Sequence, residues 1–543
     1  MKIRVLTERW WRPFVFSLSF LLLGACFLGY PGLEDDEALF GNPIFHVPGS
    51  SLYDITVFHR KIPIMILSYL GTVKSGLYWL LFVFFNPSYL TVRLPVLILG
   101  AITVALFYKL LEAIHSRRAA WAGTLLLVTN TIFLLTICFD WGPVAIQHLL
   151  LVLGLLSLLR WWRVRKWWWL FASLFCMGLA LWDKALFLWM LGGLTVATLA
   201  VFPRELFRLL RIRNILVAAA AFCLGALPLI KYNFHPETRF ATFRSNASFV
   251  FDQFPIKFYI LRLTFDGGGL LSYLVNDPWV GHAREARTPV ERVSYGLESL
   301  AGQHRTNHIE IVFCLAVLLL PLLWRTPARK PMLFCLIAGM VTWLQMAITQ
   351  NAGGGSHHAI LLAPLVFLFL GVAFAEASQR LKKAGLPILA VVMAFLGVGG
   401  LLVTNQNLYQ LARYGAAGNW SDAGFALSAE LDRLAPQQIV IEDWGIMNGL
   451  VLLHRGRLPI VSVSEDFDWP RLDAGQRDYY RGLLERGLWV GHTTAYREFK
   501  GIHNKVLESA AQAGFRSEPA GTVYDSHGNA VFTLNRFVAA PAP

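Results

Sequence analysis

The sequence predicts a mainly α-helical membrane protein with about eleven transmembrane helices, outer interfacial helices, and a small C-terminal α/β domain outside the membrane. Three observations carry that prediction. The 543 residues are 56% hydrophobic with a mean hydropathy of +0.51, too apolar for a soluble globule. Apolar runs long enough to cross a bilayer recur from residue 13 to residue 404, separated by short basic clusters. Beyond Asn405 the runs stop, and short strand and helix patterns alternate instead. The expected domains are therefore 1–405 in the membrane, with outer loops 31–90 and 232–307, and 406–543 outside it.

The net charge of +14 lies mainly in the clusters between runs, so membrane orientation explains it without nucleic acid. The six cysteines lie in or beside apolar runs and show no CxxC spacing, so neither a disulfide framework nor a thiolate metal site is expected. Met1 to Arg12 is basic and leads into the first run, 13–30. Leu23-Gly24-Ala25-Cys26 loosely resembles a lipoprotein cleavage box, but ten further spans follow, and a retained first helix is expected.

Four carboxylates, Glu34-Asp35-Asp36-Glu37, follow that run. Adjacent carboxylates repel, so they belong either in a solvated loop or beside a cation or basic ligand. Glu34 reads as a surface residue, and the rest of the quartet as either a wet loop or a reaction centre. The segment 62–85 is apolar but broken by Gly71, Lys74 and Gly76. The remaining spans are 91–112, 119–137, 143–159, 167–182, 185–202, 214–231, 308–324, 331–349, 358–377 and 385–404. With the N-terminus inside and 62–85 not crossing, the basic clusters at 115–118, 160–166, 204–213, 324–330 and 380–383 all fall inside. A crossing at 62–85 would turn them all outward and bury Lys74 at a cost of about 2.5–3.5 kcal/mol. The segment is therefore read as lying on the outer interface, which puts the acidic quartet, Asp140, Asp183 and the C-terminus outside.

In the outer domain the pattern predicts strands at 438–442, 458–463 and 488–490, helices at 445–455, 474–486 and 495–513, and a hairpin of 521–525 with 529–534. Asp140-Trp141-Gly142-Pro143 reads as a helix cap with proline in the first turn of the next span, and Asp140 also as a possible site residue. Asp183 and Lys184 can pair with each other or face a substrate. His357 and His358 follow Gly353-Gly354-Gly355; as neighbours on a helix they point differently, against a shared metal.

Four local patterns together resemble the GT-C membrane glycosyltransferases, in particular the protein O-mannosyltransferase and lipid A aminoarabinose transferase family (glycosyltransferase family 39-like). They are Asp36-Glu37-Ala38 after the first helix, Lys74-Ser75-Gly76-Leu77-Tyr78-Trp79 where the family has K-P-P-L-Y-Y-W, Val92-Arg93-Leu94-Pro95 opening the next span, and Gly178 to Lys184, similar to G-L-x-x-L-x-x-K. The resemblance covers residues 1–405 and implies a GT-C fold and transfer of a sugar from a polyprenyl-phosphate carrier to an acceptor on the outer face. It implies Asp36 as the base, with Asp35 and Glu37 beside it. Lys74, Tyr78, Arg93, Lys184 and His357 become candidates for the donor phosphate. Val73 stands where some relatives carry a metal-ligating side chain, so no metal is expected there; no cofactor is expected, and a divalent metal elsewhere stays open. The implied location is a bacterial inner membrane, with the N-terminus cytoplasmic and the C-terminus extracytoplasmic. Two rival readings are a non-catalytic subunit that binds a partner through its outer domain and a transporter of lipid-linked glycans. The sugar and the acceptor (lipid, glycan or protein) are not legible.

Overall fold

The computed structural model describes residues 10–541 except 247, 272, 464–466 and 500. Residues 1–9, the start of the basic N-terminal stretch, thus lie outside the described residues. Five helices are long and apolar enough to cross a bilayer unaided: Tyr89–Ile114, Val144–Val164, Arg329–Ala347, Ser356–Arg380 and Lys382–Tyr414. Two further apolar stretches are bent helix pairs, each a broken crossing or a re-entrant loop: Arg117–Val128 with Thr131–Cys138 at 61°, and Ile212–Gly225 with Leu227–Phe234 at 72°. Trp11–Ala25, Trp167–Asp183, Phe187–Val201 and Ile309–Leu318 are shorter apolar helices. Each of the eleven expected spans is thus helical, and the chain is a multi-pass membrane protein.

The breaks have local causes. Asn130 accepts the Phe133 N–H at 2.8 Å, capping a new helix where 119–137 was expected to run straight. Ala226 is followed by a helix with proline in its first turn, so 214–231 breaks there. The last span is longer than expected and continues past 404 to Tyr414.

The segment 62–85 does not form one helix. Strands β1 (Tyr53–Val57), β2 (Arg60–Leu67) and β3 (Leu70–Gly71) make an antiparallel sheet, and only Val73–Phe82 is helical. Ten helical residues span about 15 Å, half a hydrocarbon core. The β1–β2 turn is Phe58-His59, both at positive φ, an unusual pair for a two-residue hairpin. Gly71 is required where it stands: a Cβ there would lie 2.2 Å from the Trp182 carbonyl oxygen.

In the C-terminal domain β4 (Gln438–Ile441), β5 (Ile460–Ser462), β6 (Gly487–His492), β7 (Phe515–Tyr524) and β8 (Ala530–Ala539) form one sheet in the order β5-β4-β6-β8-β7. β4 runs parallel to β5 and β6, and β8 antiparallel to β6 and β7. The helix Ala474–Arg486 stands where expected. The closing hairpin is longer than expected, and the helix expected from 495 starts only at Ile502. The domain rests on the membrane part through Gly32 N–H to the Trp420 carbonyl (2.8 Å), Arg455 to the Phe82 carbonyl (2.7 Å) and Asn276 to the Tyr496 hydroxyl (3.1 Å).

Candidate active site

The acidic quartet is the start of a five-residue helix, Asp35–Leu39. Glu34 caps it: its carboxylate accepts the N–H groups of Asp36 (2.7 Å) and Glu37 (3.2 Å), while Glu37 reaches back to the Glu34 N–H (3.4 Å). Glu34 is therefore buried, not on the surface. Helical geometry turns the three following carboxylates about 100° apart, which relieves their repulsion. Asp35 faces the C-terminal domain, where Asn448 donates from its side chain (2.8 Å) and backbone (3.4 Å). Glu37 takes a bidentate pair from Arg93 at 2.6 and 2.7 Å. Asp36, partly accessible, looks into the molecule. Burial lifts its carboxyl above the usual range, and Lys184, Lys74 and the Trp141 indole draw it back down.

Arg93 has no donor to spare. Beyond Glu37, its guanidinium donates to the carbonyls of Leu28 (3.1 Å), Pro31 (2.9 Å) and Gly32 (2.8 Å), so all five N–H groups are used within the protein. The expected phosphate contact of Arg93 gives way to a clamp that ties the loop after the first helix to the span Tyr89–Ile114.

Lys74 is similarly committed. Its ammonium lies 3.0 Å from Asp140 Oδ1, donates to the carbonyls of Asp140 (3.2 Å) and Gly142 (2.8 Å), and sits 3.6 Å above the Phe40 ring. Tyr78 donates its hydroxyl hydrogen to the other Asp140 oxygen and packs against Phe82. Asp140 itself has φ 51°, a left-handed conformation that aspartate tolerates better than most residues. Asp140 is not a helix cap, as the sequence suggested. Its side chain turns away from the next helix to meet Lys74, a residue 66 positions earlier.

Lys184 is held by backbone pairing rather than by its charge. It forms a β-bridge with Leu70, and the Ala185 N–H bonds the Tyr69 carbonyl at 2.9 Å. The ammonium is nearly buried, yet among the described residues no hydrogen bond or ion pair reaches it. A methyl group placed on Gly142 would lie 3.7 Å from Lys184 Nζ and 3.8 Å from the His357 ring, so both line the same spot. Burial pulls the Lys184 ammonium down to about 8, opposed by Asp36 and Asp183. Asp183, also buried, has both carboxylate oxygens without a hydrogen-bond partner among the described residues. It does not pair with its neighbour.

Trp141 packs at the centre of this cluster, with the rings of His357 4.3 Å, Tyr273 5.1 Å and Trp420 5.7 Å from its own. The His357 and His358 rings lie 4.1 Å apart, tilted by 59° to each other, in the short helical turn Ser356–Ala359 that opens the span Ser356–Arg380. Among the described residues no three His, Cys, Asp or Glu side chains gather into a metal-holding group.

The fold thus collects Asp36, Lys74, Tyr78, Asp140, Lys184 and His357 at one end of the helix bundle, sets Asp35 toward the C-terminal domain and locks Glu37 to Arg93. Trp141 and Asp183 join them. Trp141 left no sequence signal beyond its place in Asp140-Trp141-Gly142-Pro143. Asp183 was visible only as the neighbour of Lys184. Chemically, the cluster offers the Asp36 carboxylate, held by Trp141 and facing Lys184, and a lysine ammonium that no hydrogen bond or ion pair reaches among the described residues.

Solved structures resemble the fold over nearly the whole chain. ArnT from Cupriavidus metallidurans superposes at a TM-score of 0.58 in its apo state, with 14% identity, over 96% of this chain and 97% of ArnT. The same protein bound to undecaprenyl phosphate gives 0.55 at 13% identity, covering 97% and 98%. The apo oligosaccharyltransferase of Archaeoglobus fulgidus gives 0.52 at 12% identity, covering 96% of this chain and 75% of that one. The fold of this chain is therefore that of the GT-C membrane glycosyltransferases. No protein-family model matches the sequence, and no curated protein matches it.

Proposed function

We propose that this protein is a membrane glycosyltransferase that moves a sugar from a polyprenyl-phosphate carrier to an acceptor at the outer face. The observation that carries the reading is that a partly accessible Asp36 faces Lys184, whose ammonium has no hydrogen bond or ion pair among the described residues, on a fold shared with a transferase seen bound to undecaprenyl phosphate. In the reaction an acceptor hydroxyl gives its proton to Asp36 as its oxygen bonds the anomeric carbon. The bond from that carbon to the phosphate oxygen breaks, and the electron pair leaves with the carrier phosphate. Displacement in one step inverts the anomeric centre. Lys184, to which the described residues give no hydrogen bond or ion pair, meets the charge that grows on the phosphate, and His357 adds a second contact. Lys74, Asp140 and Tyr78 hold the floor of the cluster, and Arg93 with Glu37 fixes the loop that carries Asp36.

Orientation follows from charge. The helix Val144–Val164 begins beside Asp140 and ends about 30 Å away, where Arg165 stacks on Trp162 at 3.8 Å and Arg160 on Trp169 at 4.9 Å. Basic and aromatic side chains of that kind mark a cytoplasmic interface, leaving the cluster outside. One observation favours the non-catalytic subunit: Lys74, the lysine of the expected interfacial motif, is already paired.

The test is Asp36→Asn assayed with a lipid-linked sugar. Loss of about 10²–10⁴-fold in turnover, with binding of the carrier phosphate retained, is expected. Unchanged turnover removes Asp36 from the mechanism, and absence of any transfer by the wild type favours the subunit reading.

A further inference from the structure

We propose that Asn448, on the outer α/β domain, is a positioning residue for Asp36; this deepens the catalytic reading above and rests on it. The helix Asp35–Leu39 has five residues, too few to hold its own shape or direction in isolation. Its orientation is imposed from outside: Asn448 ties Asp35, Arg93 ties Glu37, and Trp141 bonds Asp36 itself. Asn448 Nδ2 donates to Asp35 Oδ2 at 2.8 Å, and its backbone N–H points at Oδ1 from 3.4 Å. The amide is itself fixed, because Asn42 Nδ2 donates to Asn448 Oδ1 (2.8 Å) and to its carbonyl (3.2 Å). Leu452, one turn further along the same outer helix, packs among Ala38, Phe40, Tyr78 and Phe82.

Asp35 and Asp36 are consecutive in one turn, so the direction of the second carboxylate follows from the anchoring of the first. A neutral amide suits this place. It satisfies a buried carboxylate without setting a second cation near the cluster, where Lys184 has to remain free for a ligand. The outer domain is in this account part of the catalytic apparatus, and the seating of the helix Met447–Leu453 controls whether the base is aligned.

The experiment uses the full-length protein in detergent or nanodiscs, with a polyprenyl-phosphate sugar as donor, and follows two readouts. The first is turnover. Asn448→Ala lowers kcat about 10- to 100-fold while KM for the donor stays within about twofold, because the Lys184 side is untouched. Asn448→Asp sets two carboxylates together, which then share a proton, so its kcat recovers as the pH falls. The exchange Asp35→Asn with Asn448→Asp rebuilds the same bonds in the reverse sense: Asn at 35 donates, Asp at 448 accepts, and Asn42 keeps its partner. That pair restores kcat to within about threefold of wild type. The second readout is amide hydrogen exchange over 36–40, which speeds up in Asn448→Ala and recovers in the double variant. Wild-type kcat and unchanged exchange in Asn448→Ala overturn the proposal, as does a double variant no better than the worse single one. Full turnover in Asp36→Asn overturns the base assignment instead; altered exchange in Asn448→Ala would then leave only the mechanical tie.

Discussion

Lys74 and Lys184 are both buried cations near Asp36, and the protein treats them in opposite ways. Lys74 has an anionic partner, two carbonyl acceptors and an aromatic face, and none of its surface is exposed. Lys184 is 5% exposed and is given no hydrogen-bond or ion-pair partner by the described residues. A buried charge that is fully paired stabilises the fold only as long as its partner remains; a buried charge left unpaired is kept for something that arrives later. By sequence Lys74 matched the expected phosphate contact. By geometry Lys184 is the better placed of the two. The general lesson is that a motif residue identifies the neighbourhood, while saturation decides which cation in it is available.

Removing each lysine should separate the roles. Lys74→Met leaves Asp140 buried without its counter-charge and is expected to lower stability by about 3–5 kcal/mol, visible as a large drop in the unfolding temperature of the purified protein. Adding Asp140→Asn to that variant should recover much of the loss, since Tyr78 keeps an acceptor. Lys184→Met is expected to leave the unfolding temperature unchanged or raised and to reduce kcat/KM about 10- to 150-fold, the effect of about 1.5–3 kcal/mol of lost charge-assisted bonding. If the two variants lost stability alike, the distinction between the lysines would be gone.

The pH profile sharpens the same contrast. The Lys184 ammonium titrates at about 8, so kcat/KM should fall as the pH rises through that value; it should also fall on the acid side as Asp36 takes up a proton. Lys184→Arg keeps the charge to much higher pH and should abolish the alkaline limb while leaving the acid one. A smaller effect concerns Asp35, whose carboxyl burial lifts to about 7. The folded protein then holds a proton that the unfolded chain, with a carboxyl near about 4, has released. Stability should therefore decline as the pH rises from about 4 to about 7, and Asp35→Asn should flatten that slope in unfolding measurements.

Much of the membrane part was legible in the sequence. Every expected span is helical, because hydrophobicity accumulates along neighbouring residues and needs no knowledge of the fold. What failed was local geometry that an averaged hydropathy does not register: the Asn130 cap that bends one span, and the β1–β2 hairpin, whose Phe58-His59 turn lacks the usual glycine or asparagine. In the outer domain, alternation found each strand but set the last hairpin too short.

The site was legible as a place and not as a set of roles. The run of four carboxylates, Lys74, Arg93, Lys184 and His357 were all visible as charged or titratable groups at the ends of apolar runs. Composition and periodicity by themselves determined that this chain threads a membrane and gathers its acids at helix ends, because both are properties of adjacent residues. Only the tertiary structure decided that Glu37 belongs to Arg93, Asp140 to Lys74 and Asp35 to Asn448, which leaves Asp36 and Lys184 without an ion-pair partner in contact among the described residues. Those partners stand 56, 66 and 413 positions apart. The pairing of buried charges follows distance in space, and a linear sequence does not contain it.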